Sequence, residues 1–318
     1  MSNEKLVSVI MPAFNVDQYI AEAVESVQKQ SYQDWELIII DDGSTDNTRA
    51  VAEKFSSVDA RIRCISTENM GVSAARNIAV AQAKGMYISF LDADDLWHED
   101  FLQETMTKIS HGGAIVYSRT MECFQDGRSR LLGPKKCIVG SLDAFIYKGY
   151  DFRPIFHISA LLIKKSLIDE YRIIFPIGIK NAEDLCFFIQ ILSVTEINFV
   201  PKVLTYYRRR KDSATTQKWN PDNQSGTVKI FIFLEDFFKK NQLVGIHILH
   251  HLRNYNAYRF ILNGLRFGFY EQMKFYIEEW KPWLLEFSHG KGRITDKIKC
   301  SLIAHNSMKL NMFIGKIS

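Results

Sequence analysis

Short apolar runs alternate with amphipathic stretches over the first 120 residues of the chain. Runs of strand length occupy residues 7–11, 36–40, 62–65 and 86–91, and between them residues 20–30, 46–55 and 72–83 repeat apolar positions at helical spacing. Strands joined one after another through helices run parallel, because the chain needs a crossover to return to the same end of the sheet. The pattern therefore predicts an α/β domain with a mostly parallel central sheet and helices on both faces.

Two of these runs end in carboxylates. Residues 36–40 lead into Asp41 and Asp42, and residues 86–91 lead into Asp92, Ala93, Asp94 and Asp95. In open α/β sheets ligands bind beyond the carboxyl ends of the strands, so both clusters face one predicted crevice. Carboxylates this close repel one another unless a cation joins them. Their oxygens suit Mg²⁺ or Mn²⁺, and an ion held by one or two protein carboxylates keeps positions for substrate phosphates. The competing reading is that Asp94 and Asp95 cap a helix beginning near Trp97.

Four segments in order carry a family resemblance: Val-Ser-Val-Ile-Met-Pro-Ala-Phe-Asn at 7–15, Asp-Asp-Gly-Ser-Thr-Asp at 41–46, Gly-Val-Ser-Ala-Ala-Arg-Asn at 71–77 and Leu-Asp-Ala-Asp-Asp at 91–95. The succession resembles the family 2 glycosyltransferases of the GT-A fold. With two further matches, at 181–188 and 206–215, it covers roughly residues 5–215. The resemblance implies a nucleotide-sugar donor, usually a UDP-sugar, a divalent cation (Mn²⁺ or Mg²⁺), and inversion at the anomeric carbon.

Residue by residue, the resemblance implies that Pro12, Phe14 and Asn15 line the nucleoside pocket, with Asp41 and Asp42 beside them. Asp42 would accept a hydrogen bond from the base, and Phe14 would stack on it; a core position is the other reading for Phe14. Arg76 would meet the nucleotide or the acidic cluster through its bidentate fork. In the Asp92-Ala93-Asp94 segment, Asp92 would face ribose or sugar, and Asp94, with Asp92, would hold the metal.

Transfer also needs a base for the acceptor hydroxyl. The segment Asn-Ala-Glu-Asp-Leu-Cys-Phe-Phe at 181–188 is similar to the family's Glu-Asp motif, which implies Asp184 as base and Glu183 as the runner-up. Acidic residues in a first helical turn also favour the helix dipole, the structural alternative. His157 and Trp97 are candidates for the acceptor side. A histidine among apolar residues can equally be a hydrogen-bonded core residue, and Trp97 can anchor its own helix. The segment beginning Tyr206-Tyr207-Arg208-Arg209-Arg210 is similar to one that closes the GT-A domain, with one departure. Many relatives have His where Arg210 stands, and arginine cannot ligate a cation, so Arg210 would neutralise the diphosphate directly. A solvated basic run is the alternative.

Composition narrows the picture further. The chain has 318 residues, 47% hydrophobic, with net charge +4. Its five cysteines, Cys64, Cys123, Cys137, Cys186 and Cys300, form no Cys-x-x-Cys pair, which argues against disulfides and zinc. The start lacks a signal-peptide pattern and no run approaches the ~20 apolar residues of a membrane span, so a cytoplasmic location is expected. Residues 1–220 are expected to form the GT-A domain, with a donor half at 1–120 and an acceptor half at 121–220. A helical region should follow at 221–318, with helices at 228–238 and 249–269.

At 289–318, Lys291, Arg293, Lys297, Lys299, Lys309 and Lys316 face a single acid, Asp296, among apolar residues that include Ile303. That mixture suits either a helix in an anionic headgroup layer or one packed on its own domain. The combined expectation is a peripheral enzyme on the inner face of the cytoplasmic membrane. It would extend a glycan or polyprenyl-diphosphate-linked saccharide for lipopolysaccharide O-antigen or capsule, and no nucleic acid is expected. Two other classes stay open: a catalytically silent UDP-sugar-binding or scaffolding protein, and a nucleotidyltransferase, for which residues 12–19 lack a glycine-rich phosphate loop.

Overall fold

The computed structural model describes residues 5–132, 157–179, 181–210 and 220–289, together with 297, 300, 301, 303 and 304. The chain divides into two compact units, one of Met1–Gly178 with Phe187–Ser213 and one of Ile179–Cys186 with Ala214–Ser318.

The first unit is built on a sheet. Its amino-terminal part alternates β1 (Val7–Ala13), α1 (Ile20–Gln28), β2 (Trp35–Asp41), α2 (Thr48–Val58), β3 (Ile62–Ser66), α3 (Val72–Gln82) and β4 (Tyr87–Phe90). Strands β1 to β4 run parallel to one another, with Val9 opposite Leu37 on one side and Ser89 on the other. Every residue of β1 is buried, as a strand covered on both faces requires. The alternation read from the sequence thus yields the expected topology, each element within a few residues of its expected bounds.

Beyond β4 the chain continues through β5 (Leu96–Trp97), α4 (Phe101–Ser110), β6 (Ile115–Phe124), β7 (Ser129–Leu132), a 3-10 turn at Ile158–Ala160, β8 (Leu161–Lys164), α5 (Lys165–Tyr171), α6 (Glu183–Val194) and β9 (Ile197–Arg209). The spatial order is β3-β2-β1-β4-β8-β6-β9-β5, with β7 on β6. Here directions mix: β8 is antiparallel to β4 and β6, β9 runs parallel to β6, and β5 runs antiparallel to β9.

One expectation is corrected at this point. No helix starts near Trp97; Leu96 and Trp97 pair with Tyr206 and Thr205 of β9, and the helix begins at Phe101. Strand pairing claims this segment because the Trp97 indole N–H donates to the Ser159 carbonyl at 2.7 Å, which holds the chain extended.

The two ends of the parallel strands differ in chemistry. At the amino-terminal end, Glu36 is buried but fully engaged by the Ser8 hydroxyl (2.6 Å), the Lys84 amide (2.7 Å) and Arg63 (3.1 Å). Gly85 has no alternative there, since a Cβ would lie 2.6 Å from the Leu6 carbonyl oxygen. That end is structural, and the carboxylates left for chemistry lie at the other.

The second unit is helical: α7 (Pro221–Gln224), α8 (Gly226–Lys240), α9 (Ile246–Arg266), α10 (Tyr270–Glu279) and α11 (Lys281–His289). Tyr258, Phe260, Trp280 and Phe287 form its core with Cys300, Ile303 and Ala304. The helix expected at 249–269 stops at Arg266, because the chain turns at Gly268 with φ +85°. The basic tail at 289–318 lies mostly outside the described residues. Ile303, grouped by sequence with the membrane-inserting positions, is 2% exposed in the helical core. No described helix is long and apolar enough to cross a membrane.

Candidate active site at the carboxyl ends of the strands

The loops after β1 and β2 are laced together. Asn15, at φ 50°, accepts the Thr45 amide on Oδ1 at 2.9 Å and donates its own amide to Ser44 Oγ at 3.1 Å. The Val16 amide donates to Thr48 Oγ1 at 2.7 Å, and the Asp17 amide to Asp46 Oδ2 at 3.2 Å. This lacing leaves Phe14 outside the core: at 44% exposure its ring is open to a stacking partner. Pro12 is buried within β1 opposite Ile40.

Asp42 is 4% exposed and binds the turn before α3, accepting the amides of Met70 (2.9 Å) and Gly71 (2.8 Å) and the Thr67 hydroxyl (3.2 Å). A carboxylate offers about four acceptor positions, so one remains for a ligand donor. Asp41 is 2% exposed, with Oδ1 placed 3.4 Å from the Ser44 amide.

After β4 the chain makes a tight acidic turn, closed by the Asp95 amide donating to the Asp92 carbonyl at 2.9 Å. Ala93 is buried inside it. Asp95 caps no helix: its carboxylate accepts the Ser159 hydroxyl at 2.9 Å and the Arg208 backbone amide at 3.1 Å. Arg76, 2% exposed, donates through Nη2 to Asp92 Oδ1 at 2.8 Å, so the expected meeting of Arg76 with the acidic cluster is present. Asp94 Oδ2 faces Arg210 Nε at 2.8 Å.

Burial alone would raise Asp92, but Arg76, His157 and Arg210 outweigh it and hold the group below its ordinary value. Asp94 is pushed up by burial and by the charge of Asp92. Asp95 is pushed well above the ordinary carboxylate range by burial, then by Asp94 and Asp92.

His157 joins this cluster. Its Nδ1 lies 3.3 Å from Asp95 Oδ2 and its ring lies 4.4 Å from that of Tyr207. The donor atoms of Asp92, Asp95 and His157 all fall within 4.8 Å of one another. Two carboxylate oxygens and one imidazole nitrogen suit a small divalent cation such as Mn²⁺. The sequence paired Asp92 with Asp94 for the metal; the three-donor group in the structure consists of Asp92, Asp95 and His157, and Asp94 lies beside Arg210.

Trp97, expected on the acceptor side, is 4% exposed and stacked on Phe101 at 4.2 Å, and its indole N–H donates to the Ser159 carbonyl. Glu183 and Asp184 open α6, with the Ala182 amide donating to Glu183 Oε2 at 3.1 Å. Within the first unit, Phe187 stacks on Phe175 at 4.3 Å and meets Phe90 edge-on at 5.4 Å.

Sequence reasoning missed Ser159 and Tyr19. Ser159 binds both the Asp95 carboxylate and the Asp92 amide, and Tyr19 lies under the guanidinium groups of Arg208 and Arg210. A serine between Ile158 and Ala160 carries no local signal, and the Tyr19 contacts come from Arg208 at the end of β9 and Arg210 just after it.

Residues 8–169 match the family described as glycosyl transferase family 2. The chain belongs to that family. Among curated relatives, this glycosyltransferase-family chain is 45% identical over 108 residues to TuaG of Bacillus subtilis (strain 168), named for teichuronic acid biosynthesis. That match covers 33% of this chain and 43% of TuaG. It is 45% identical over 96 residues to the Escherichia coli UDP-Glc:alpha-D-GlcNAc-diphosphoundecaprenol beta-1,3-glucosyltransferase WfgD, covering 30% of this chain and 37% of WfgD. The matched stretch thus spans less than half the length of either relative. Among solved structures, S. aureus TarS 1-349 in complex with UDP-GlcNAc superposes with TM-score 0.65 at 19% identity, over 94% of this chain and 90% of that one. At that identity the likeness is one of fold.

Proposed function

We propose that this family 2 member is an inverting glycosyltransferase that moves a sugar from a UDP-sugar to a hydroxyl of a glycan or polyprenyl-diphosphate-linked saccharide. The observation that carries the reading is the acidic turn of Asp92, Asp94 and Asp95 at the end of β4, met by Arg76 and Arg210. Carboxylates and arginines interleaved at this end of a parallel sheet suit a ligand that is itself a polyanion with sugar hydroxyls. In the donor pocket, Phe14 stacks on the uracil and Asp42 accepts its N–H. WfgD, by its name, uses UDP-Glc and a diphosphoundecaprenol-linked acceptor, and TarS was crystallised with UDP-GlcNAc; both support this donor and acceptor class.

In the proposed reaction Asp184 takes the proton from the acceptor hydroxyl, with Glu183 as the alternative base. The hydroxyl oxygen forms a bond to the anomeric carbon as the bond to the β-phosphate oxygen breaks, and the electron pair leaves on UDP. A single displacement inverts the centre, converting an α-linked donor into a β-linked product. A Mn²⁺ or Mg²⁺ ion held by Asp92, Asp95 and His157 would supply positive charge to the departing diphosphate. Surface-polysaccharide assembly, as O-antigen or capsule, is the proposed setting, with the basic tail at 289–318 resting on the inner face of the cytoplasmic membrane.

The test is release of nucleoside diphosphate from a panel of nucleotide sugars by the purified chain in Mn²⁺ buffer, with calorimetric UDP binding alongside. Release of UDP from one donor is expected. Absence of both release and UDP binding would overturn the reading. Asp184→Asn should keep UDP binding and lose transfer, and normal transfer by this variant would remove Asp184 from the role of base.

A further inference from the structure

Each of the two outward-facing carboxylates of the acidic turn is matched with an arginine, and the two arginines differ in what else they can reach. Arg76 lies within α3, 2% exposed, with its guanidinium 5.0 Å from the Phe175 ring centre. It is closed in. Arg210 directly follows the last residue of β9, and its guanidinium lies 5.3 Å from the Tyr19 ring centre. Its Nε lies 2.8 Å from Asp94 Oδ2 as an ion pair, outside hydrogen-bond geometry. Among the described residues no hydrogen bond or ion pair engages its two Nη groups.

A guanidinium held by an ion pair on its Nε side keeps its Nη groups as a planar pair of donors, the geometry that phosphate oxygens accept in bidentate fashion. Asp92 and Asp94 are also the more open carboxylates of the turn, at 25% and 18% exposure, whereas Asp95 is wholly buried. At the open side of the turn, positive charge is therefore already supplied by protein.

Resting on the reading of a nucleoside-diphosphate donor, we propose that Arg210 is a built-in cation for the donor diphosphate, held in place by its ion pair with Asp94, so that nucleotide binding does not require a divalent ion. Asp94 is on this view a positioning residue rather than a metal ligand. The group formed by Asp92, Asp95 and His157 remains the place for a divalent ion that serves the transfer step.

Calorimetric titration of the full chain with UDP, in Mn²⁺ and then in chelator, tests this without any turnover. The wild-type protein should bind UDP in both buffers. Arg210→His should weaken UDP binding in chelator by about 10- to 100-fold, the range for one lost charge-assisted pair of hydrogen bonds, and Mn²⁺ should restore most of the loss. Uridine, which lacks phosphates, should bind both proteins alike; a merely structural role for Arg210 would weaken uridine as well and overturn the proposal. Wild-type binding of UDP that vanishes in chelator would overturn this inference and leave the donor reading standing. Failure to bind UDP in either buffer would overturn both.

Discussion

The Ser159 hydroxyl spans the acidic turn, donating to Asp95 Oδ2 at 2.9 Å while its oxygen lies 3.3 Å from the Asp92 amide nitrogen. One side chain on the segment before β8 thereby sets the spacing of the two carboxyl groups that, with His157, form the three-donor group. Ser159 is wholly buried, so water cannot readily replace it. Ser159→Ala is expected to cost about 1–3 kcal/mol of stability, the price of a buried polar group that loses a partner. Urea unfolding monitored by tryptophan fluorescence measures this, and the same variant should bind Mn²⁺ less tightly.

Arg76, 2% exposed, forms an ion pair with Asp92. Removing the cation leaves Asp92 beside two other carboxylates with only partial access to water. Arg76→Met should destabilise the chain by about 3 kcal/mol, and adding Asp92→Asn to it should recover part of that loss, since the second change removes the uncompensated charge. A double-mutant cycle in urea checks both signs.

Phe14 offers a separation of binding from folding. Its ring is 44% exposed, so Phe14→Ala should change stability by no more than about 0.5 kcal/mol. Loss of a stacking face should weaken UDP binding by about tenfold, toward the low end of what base–aromatic stacking supplies. Calorimetry with UDP and a thermal melt give the two readouts, and a stability loss larger than the affinity loss would return Phe14 to the core.

Acid stability should depend in part on Asp59. Hydrogen bonds from Arg61, whose guanidinium stacks 3.7 Å over the Trp35 ring, lower the Asp59 carboxyl from 3.8 to about 2. Because the folded value lies below the unfolded one, this contribution is present above pH 3.8 and is lost as pH falls through about 2. Asp59→Asn should therefore lower the urea midpoint at neutral pH and show a shallower further decline between those two values.

The elements of the amino-terminal half were determined by the sequence itself. Apolar runs of strand length, separated by helical periodicity, make β1 to β4 parallel, because each crossover helix returns the chain to the same end of the sheet, while their order β3-β2-β1-β4 was not legible in the pattern. The position of the site followed from the same logic, since carboxylates ending such strands have to meet at one end of the sheet. The pairings within it did not follow. His157 reaches Asp95, the Arg208 amide reaches across 113 residues to the same carboxylate, and Arg210 pairs with Asp94. Trp97 turns inward for the same reason, drawn into pairing with β9. These choices depend on the order β4-β8-β6-β9-β5, in which strands distant in sequence become neighbours. Local periodicity reports how a segment buries its own face, whereas the partner of a buried charge is decided by whichever strand the sheet places beside it.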